Sequence, residues 1–117
     1  MTQAVKIYHN PRCSKSRQTL ELLRARGIEA TIIEYLKTPP DAGELGHILN
    51  LLGMEPRDLM RKQEAEYKTA HLDDPALDRE ALIQAMVDQP RLIERPIVLA
   101  KGKAALGRPP ESVLEIL

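Results

Sequence analysis

The chain has one cysteine, no phenylalanine, no tryptophan and three tyrosines in 117 residues. A single cysteine excludes an intrachain disulfide and fits a reducing compartment. It also leaves a zinc site without ligands, because His9, His47 and His71 do not stand at ligand spacing from Cys13. No metal is therefore expected. Scarce aromatic rings argue against stacking on single-stranded nucleic acid. Lys+Arg and Asp+Glu both number 17, so no overall charge directs the chain to nucleic acid or to a membrane. No apolar run approaches the roughly 18–20 residues of a membrane helix. The first residues lack the basic segment, apolar run and small-residue site of a signal peptide. A P-loop and a GxGxxG loop are both missing, and a Cys-x5-Arg phosphatase loop would need arginine where Thr19 stands. The expectation is a cytoplasmic protein of one domain, residues 1–117, large enough for a real core.

What is present is unevenly arranged. Residues 1–30 carry six basic and two acidic side chains, residues 31–90 six and twelve, and residues 91–117 five and three. Basic ends around an acidic middle fit terminal segments that meet at an anion site, with a solvated insert between them. Chance variation on a charged surface explains the same counts nearly as well. Cys13 lies in Tyr8-His9-Asn10-Pro11-Arg12-Cys13-Ser14-Lys15-Ser16-Arg17, at the turn from a short strand, Val5 to Tyr8, into a helix read from Ser16 to Gly27. A helix N-terminus with nearby cations favours the thiolate, the reactive form.

The rest of the pattern sets a topology. Helix one shows Leu20, Leu23 and Ala25 as its core face, and Ala30 to Tyr35 reads as a second strand, which completes a right-handed parallel βαβ unit. A helical block follows at about 38–90. Thr38 is read as the cap of its first helix, with Pro39 at the first helical position and Gly53 at the end. Pro56 opens a short helix to about Lys62, residues 64–75 read as irregular, and Asp78 caps a helix that Pro90 ends. Ile97 to Ala100 and Ala104 to Gly107 read as a hairpin turning at Lys101-Gly102-Lys103. Pro109 and Pro110 introduce a last helix whose apolar side is Val113, Leu114 and Leu117. The order is β-α-β, helical insertion, β-β-α: an α/β chain of thioredoxin-like fold, with a mixed sheet flanked by helices. In that frame Pro96, at the start of the third strand, is a candidate cis proline facing the cysteine.

Five segments, His9–Arg17, Tyr35–Pro40, Leu59–Lys62, Glu94–Val98 and Gly107–Pro110, together resemble the glutaredoxin-coupled arsenate reductase (ArsC) family, in order and over nearly the whole chain. The resemblance is nearest to its short, chromosomally encoded branch. It implies that Cys13 is the nucleophile and that Arg61, Arg95 and Arg108 hold the oxyanion and the arsenic intermediates. It implies that His9 helps keep the thiol ionised; Asn10, Ser16 and Arg17 are candidate supporting residues of the same thiolate and anion loop. It implies arsenate as substrate, glutathione as co-substrate, glutaredoxin as partner, no bound cofactor, and a monomer. Arg12 and Lys15 depart from better-known plasmid-encoded members, which have smaller neutral residues there.

Residue chemistry alone leaves alternatives at each position. A lone cysteine is more often a small buried hydrophobe. Any single arginine is by default a surface charge, Arg17 can lie outward on its helix, and His9 divides evenly between a pKa helper and a structural hydrogen-bonder. Asn10 and Ser16 read as loop and cap hydrogen-bonders. Arginine nevertheless suits a tetrahedral anion, because its planar fork stays charged and gives paired hydrogen bonds. Two other functions fit the same residues: a glutathione-dependent thiol-disulfide reductase or transferase with little arsenate activity, and a non-catalytic regulatory binding module. The regulators commonly carry a Cys-x-x-Cys switch, and here its second position is Ser16.

Overall fold

In the computed structural model, residues 4–117 are described; the first three residues of the expected domain lie outside them. The chain divides into two compact units, Met1–Thr38 with Arg95–Leu117, and Pro39–Glu94.

The first unit is a four-stranded mixed sheet in the order β2-β1-β3-β4, built from β1 (Lys6–Tyr8), β2 (Thr31–Ile33), β3 (Ile97–Ala100) and β4 (Lys103–Leu106). β1 pairs parallel with β2, Ile7 opposite Ile32, and antiparallel with β3, Ile7 opposite Val98. Helix α1 (Ser14–Ala25) makes the crossover between the parallel pair. A two-residue turn joins β3 to β4, with Lys101 at φ 55 and Gly102 at φ 70. Both residues in the left-handed region suit the right-handed twist of a hairpin. This is the β-α-β plus β-β-α order of a thioredoxin-like domain.

Val5, Ile7, Leu20, Leu23, Val98, Ala100, Val113 and Ile116 form the core beneath α1. Residues 16, 19, 20 and 23 form the buried face of α1, whereas Ala25 is exposed, contrary to expectation. The helix begins two residues before its expected start, with Cys13 as its N-cap. The last helix, Pro110–Ile116, is a 3₁₀-helix, so its buried side is Pro110, Val113 and Ile116 rather than Val113, Leu114 and Leu117. Three residues per turn bring i, i+3 and i+6 onto one face.

The second unit packs α2 (Ala42–Leu52) on α4 (Arg79–Asp88) through buried Leu45, Ile48 and Leu49 of one and Leu82, Ile83 and Met86 of the other. The cap of α2 is Asp41, which accepts from Glu44 N at 2.8 Å, and not Thr38. Pro40 disfavours helical backbone at Pro39, which delays the helix past both prolines. Thr38 instead closes a turn by donating its N–H to Glu34 O at 2.9 Å. Asp78 caps α4 as expected, accepting from Ala81 N at 2.8 Å. A short helix, α3 (Ala65–Thr69), lies within the stretch expected to be irregular. Met60 and Ile93 form an isolated antiparallel bridge, with Arg61 N donating to Leu92 O at 2.7 Å.

Candidate active site

β1 ends at Tyr8, and the chain turns through His9–Arg12 to set Cys13 at the mouth of α1. Two local bonds shape that turn. Arg12 N–H donates to Asn10 Oδ1 at 3.0 Å, and Cys13 N–H donates to Asn10 O at 3.0 Å. A third ties the turn to the helix, where Asn10 N–H donates to Ser16 Oγ at 3.0 Å. Ser16 Oγ also stands 2.6 Å from Nδ1 of buried His9. Both readings of Asn10 and Ser16 as loop hydrogen-bonders agree with this geometry.

Cys13 is buried, 8 % exposed as a residue. Burial raises its pKa. The amide of Ser16, the charge of Arg95, the amide of Lys15 and a hydrogen bond from Arg95 act the other way and outweigh it, so the thiol ionises below its ordinary value. The first amides of α1 have no partner within the helix, which is why they serve an anion at its N-cap. Arg108 completes the surroundings. Its Nε donates to Arg95 O at 2.9 Å, and its Nη2 stands 4.0 Å from Cys13 Sγ.

The Arg95–Pro96 bond is cis, and so is Arg108–Pro109. Each arginine of this pair therefore precedes a cis proline, a symmetry the sequence pattern had signalled only at Pro96. Cys13, Arg95 and Arg108 come together within the first unit, from three separate segments.

His9 has its pKa lowered, first by burial and then by Arg24 and Arg17, against the opposing pull of Glu34. It is thus a neutral ring beside Ser16 at neutral pH. Arg17 lies on the exposed side of α1 and donates from Nη1 to Pro11 O at 2.9 Å, so it braces the loop.

Arg61 belongs to the second unit. Its Nη2 pairs with Glu64 Oε1 at 2.7 Å, and Glu64 Oε2 is 3.4 Å from Arg91 Nη2. Sequence reasoning missed this glutamate. Its position three residues after Arg61 was the available signal, since such residues share a helical face only if a turn forms there. Among the described residues, no group of three or more His, Cys, Asp or Glu side chains could hold a metal ion. No helix among them is long and apolar enough to cross a membrane.

Several known proteins are similar to this chain along its whole length. The chain is 54 % identical over 114 residues to a protein named arsenate reductase from Neisseria meningitidis serogroup B (strain MC58), covering 97 % of each chain. It is 60 % identical over 118 residues to a protein of Escherichia coli (strain K12) named "Uncharacterized protein YfgD", covering 100 % of this chain and 99 % of that one. Among solved structures, an arsenate reductase from Vibrio cholerae superposes with a TM-score of 0.97 at 51 % identity, with full coverage of both chains. The model of the ArsC family matches residues 8–116, and the chain belongs to that family.

Proposed function

We propose that this protein reduces arsenate to arsenite, with Cys13 as nucleophile and with glutathione and glutaredoxin supplying the electrons. The observation that carries the reading is the convergence of Arg95, Arg108 and the amides of Ser16 and Lys15 on one acidic thiol. These groups fit both a thiolate and a tetrahedral oxyanion. The reacting sulfurs of a disulfide carry no charge that would call for two arginines beside Cys13. Arg61 enters on the family pattern as a further oxyanion ligand.

The reaction balances as follows. The Cys13 thiolate attacks arsenic, a sulfur–arsenic bond forms, and one arsenate oxygen leaves as water after taking protons from solvent. The thiol of glutathione then displaces a second arsenic-bound oxygen, which leaves as water with the thiol's proton, so that both sulfurs are bound to arsenic. The two sulfur–arsenic bonds break as the sulfurs bond to each other, arsenic keeps one electron pair, and with water it leaves as trivalent arsenite. The chain contains only one cysteine, so the second sulfur comes from outside it. A thiolate of glutaredoxin attacks the mixed disulfide on its glutathione sulfur and frees Cys13 for another cycle. Arg95 and Arg108 place positive charge where the arsenate oxygens accumulate negative charge.

The test is arsenite formation from arsenate with glutathione and glutaredoxin, comparing the parent with Cys13→Ser and Arg95→Ala. The reading predicts turnover in the parent, none in Cys13→Ser, and a large loss in Arg95→Ala. Arsenite production that survives loss of the thiol refutes the mechanism. Parent activity on mixed disulfides without any on arsenate replaces it with the thiol-reductase reading.

A further inference from the structure

Thr19 is fully buried on α1. Its hydroxyl donates to Lys15 O at 2.8 Å, one turn back along the helix. Its surroundings explain an otherwise unremarked glycine. A Cβ placed on Gly107 would collide with Thr19 Oγ1, and it would come within 2.7 Å of Pro96 Cγ and 3.1 Å of Thr19 Cγ2. Gly107 is therefore glycine for want of space. Its N–H donates to Pro96 O at 3.0 Å, which binds the end of β4 to the start of β3.

Three chain segments meet at this contact, and each carries part of the site. α1 brings the amides of Lys15 and Ser16 and starts from Cys13. Pro96 follows Arg95, and Gly107 precedes Arg108. Arg108 in turn holds the backbone carbonyl of Arg95 and reaches toward Cys13 Sγ. The helix and the two arginine-bearing segments thus meet at Thr19, one turn from the amides that face the sulfur.

We propose that Thr19 is a positioning residue whose side-chain volume sets the separation between the N-terminus of α1 and the Arg95–Pro96 and Gly107–Arg108 segments. Too little volume lets the segments close on the helix, and too much at residue 107 drives them off. In both cases the arginines lose their registration with the sulfur. A misplacement of about 1 Å can cost on the order of 10²-fold in rate. The kinetic half of the proposal rests on arsenate reduction, whereas the ionisation half does not.

The experiment uses the full chain with Thr19→Val, Thr19→Ala, Gly107→Ala and the double variant Thr19→Ala/Gly107→Ala. For each, the pH midpoint of Cys13 alkylation by iodoacetamide is measured, together with kcat and KM for arsenate and the thermal midpoint. Thr19→Val keeps the volume and is expected to keep the parent's alkylation midpoint. Thr19→Ala and Gly107→Ala each raise that midpoint and raise KM. The double variant restores the midpoint toward the parent's, because the methyl group added at residue 107 enters the space that the Thr19 side chain gives up. A parental midpoint in Thr19→Ala overturns the proposal and leaves Thr19 as core filling, whatever the thermal midpoint does. So does a double variant no better than Gly107→Ala. If Gly107→Ala fails to fold, the contrast between Thr19→Val and Thr19→Ala decides alone. If the parent forms no arsenite, the proposed activity fails while the alkylation profiles still test Thr19.

Discussion

Replacing Ser16 with alanine removes one oxygen from the centre of the loop that carries Cys13. That oxygen accepts from Asn10 N–H at 3.0 Å and pairs with His9 Nδ1 at 2.6 Å, and the Ser16 side chain is fully buried. Alanine leaves two polar groups without this partner. A buried group so deprived costs about 1–3 kcal/mol. Water can reach the half-buried Asn10, so the expected total is about 2–3 kcal/mol rather than the full sum. Urea slopes of about 1–3 kcal/mol per molar turn this into a fall of roughly 0.7–3 M in the unfolding midpoint. Ser14→Ala is the control: Ser14 is exposed, and surface changes stay within about 0.5 kcal/mol. The thiolate depends on the Ser16 amide, which alanine retains. Ser16→Ala should therefore move the alkylation midpoint of Cys13 less than Arg95→Met does. The reasoning fails if Ser16→Ala unfolds within about 0.5 kcal/mol of the parent. It fails equally if its effect on ionisation exceeds that of Arg95→Met.

Arg95→Met should raise the alkylation midpoint of Cys13 toward the ordinary thiol value of about 8.5, because burial then acts with less opposition; an unchanged pH–rate profile would show that Arg95 does not stabilise the thiolate. His9 has a depressed pKa in the fold, so the unfolded chain binds more protons there. The stability it contributes is full above about 6.5 and is lost as pH falls through the folded value. His9→Gln should flatten this acid loss, and unfolding curves of identical pH slope in parent and variant would contradict it. Leu23→Ala empties a fully buried position under the sheet and should cost about 2–5 kcal/mol by denaturant unfolding. A loss under about 1 kcal/mol would mean that the core closes over the gap. Arg61 and Glu64 are partly buried, 26 % and 19 % exposed, so a double-mutant cycle should give a coupling near the upper end of the about 0.2–1 kcal/mol seen for exposed pairs. No measurable coupling would mean that the pair is incidental.

Much of the fold was legible because its signals are local. A short apolar run with β-branched residues marked Ile97–Ala100, and Asp78 announced α4 three residues ahead of the N–H it caps. The errors came where two local rules competed. Thr38 is a good cap in isolation, but consecutive prolines keep the helix from starting beside it. The last helix shows one apolar set at a spacing of three and another nearer to four, and the 3₁₀ form selects the first. The reactive loop was readable because a strand, a turn and a helix follow one another directly in sequence. Thr19 and Gly107 were not, since their contact joins residues far apart in the chain and depends on volumes rather than residue types. Glu64 escaped for a similar reason: its neighbour Arg91 lies 27 residues away and meets it only after the second unit folds.

In the proposed cycle Cys13 forms a covalent link first with arsenic and then with glutathione. Intact-protein mass spectrometry after incubation with arsenate and glutathione, with glutaredoxin withheld, addresses it most directly. The account predicts a Cys13–glutathione disulfide that accumulates only when arsenate is present, with one arsenite released for each chain modified. Arsenite released with Cys13 left unmodified, or the same disulfide formed equally fast without arsenate, would contradict it.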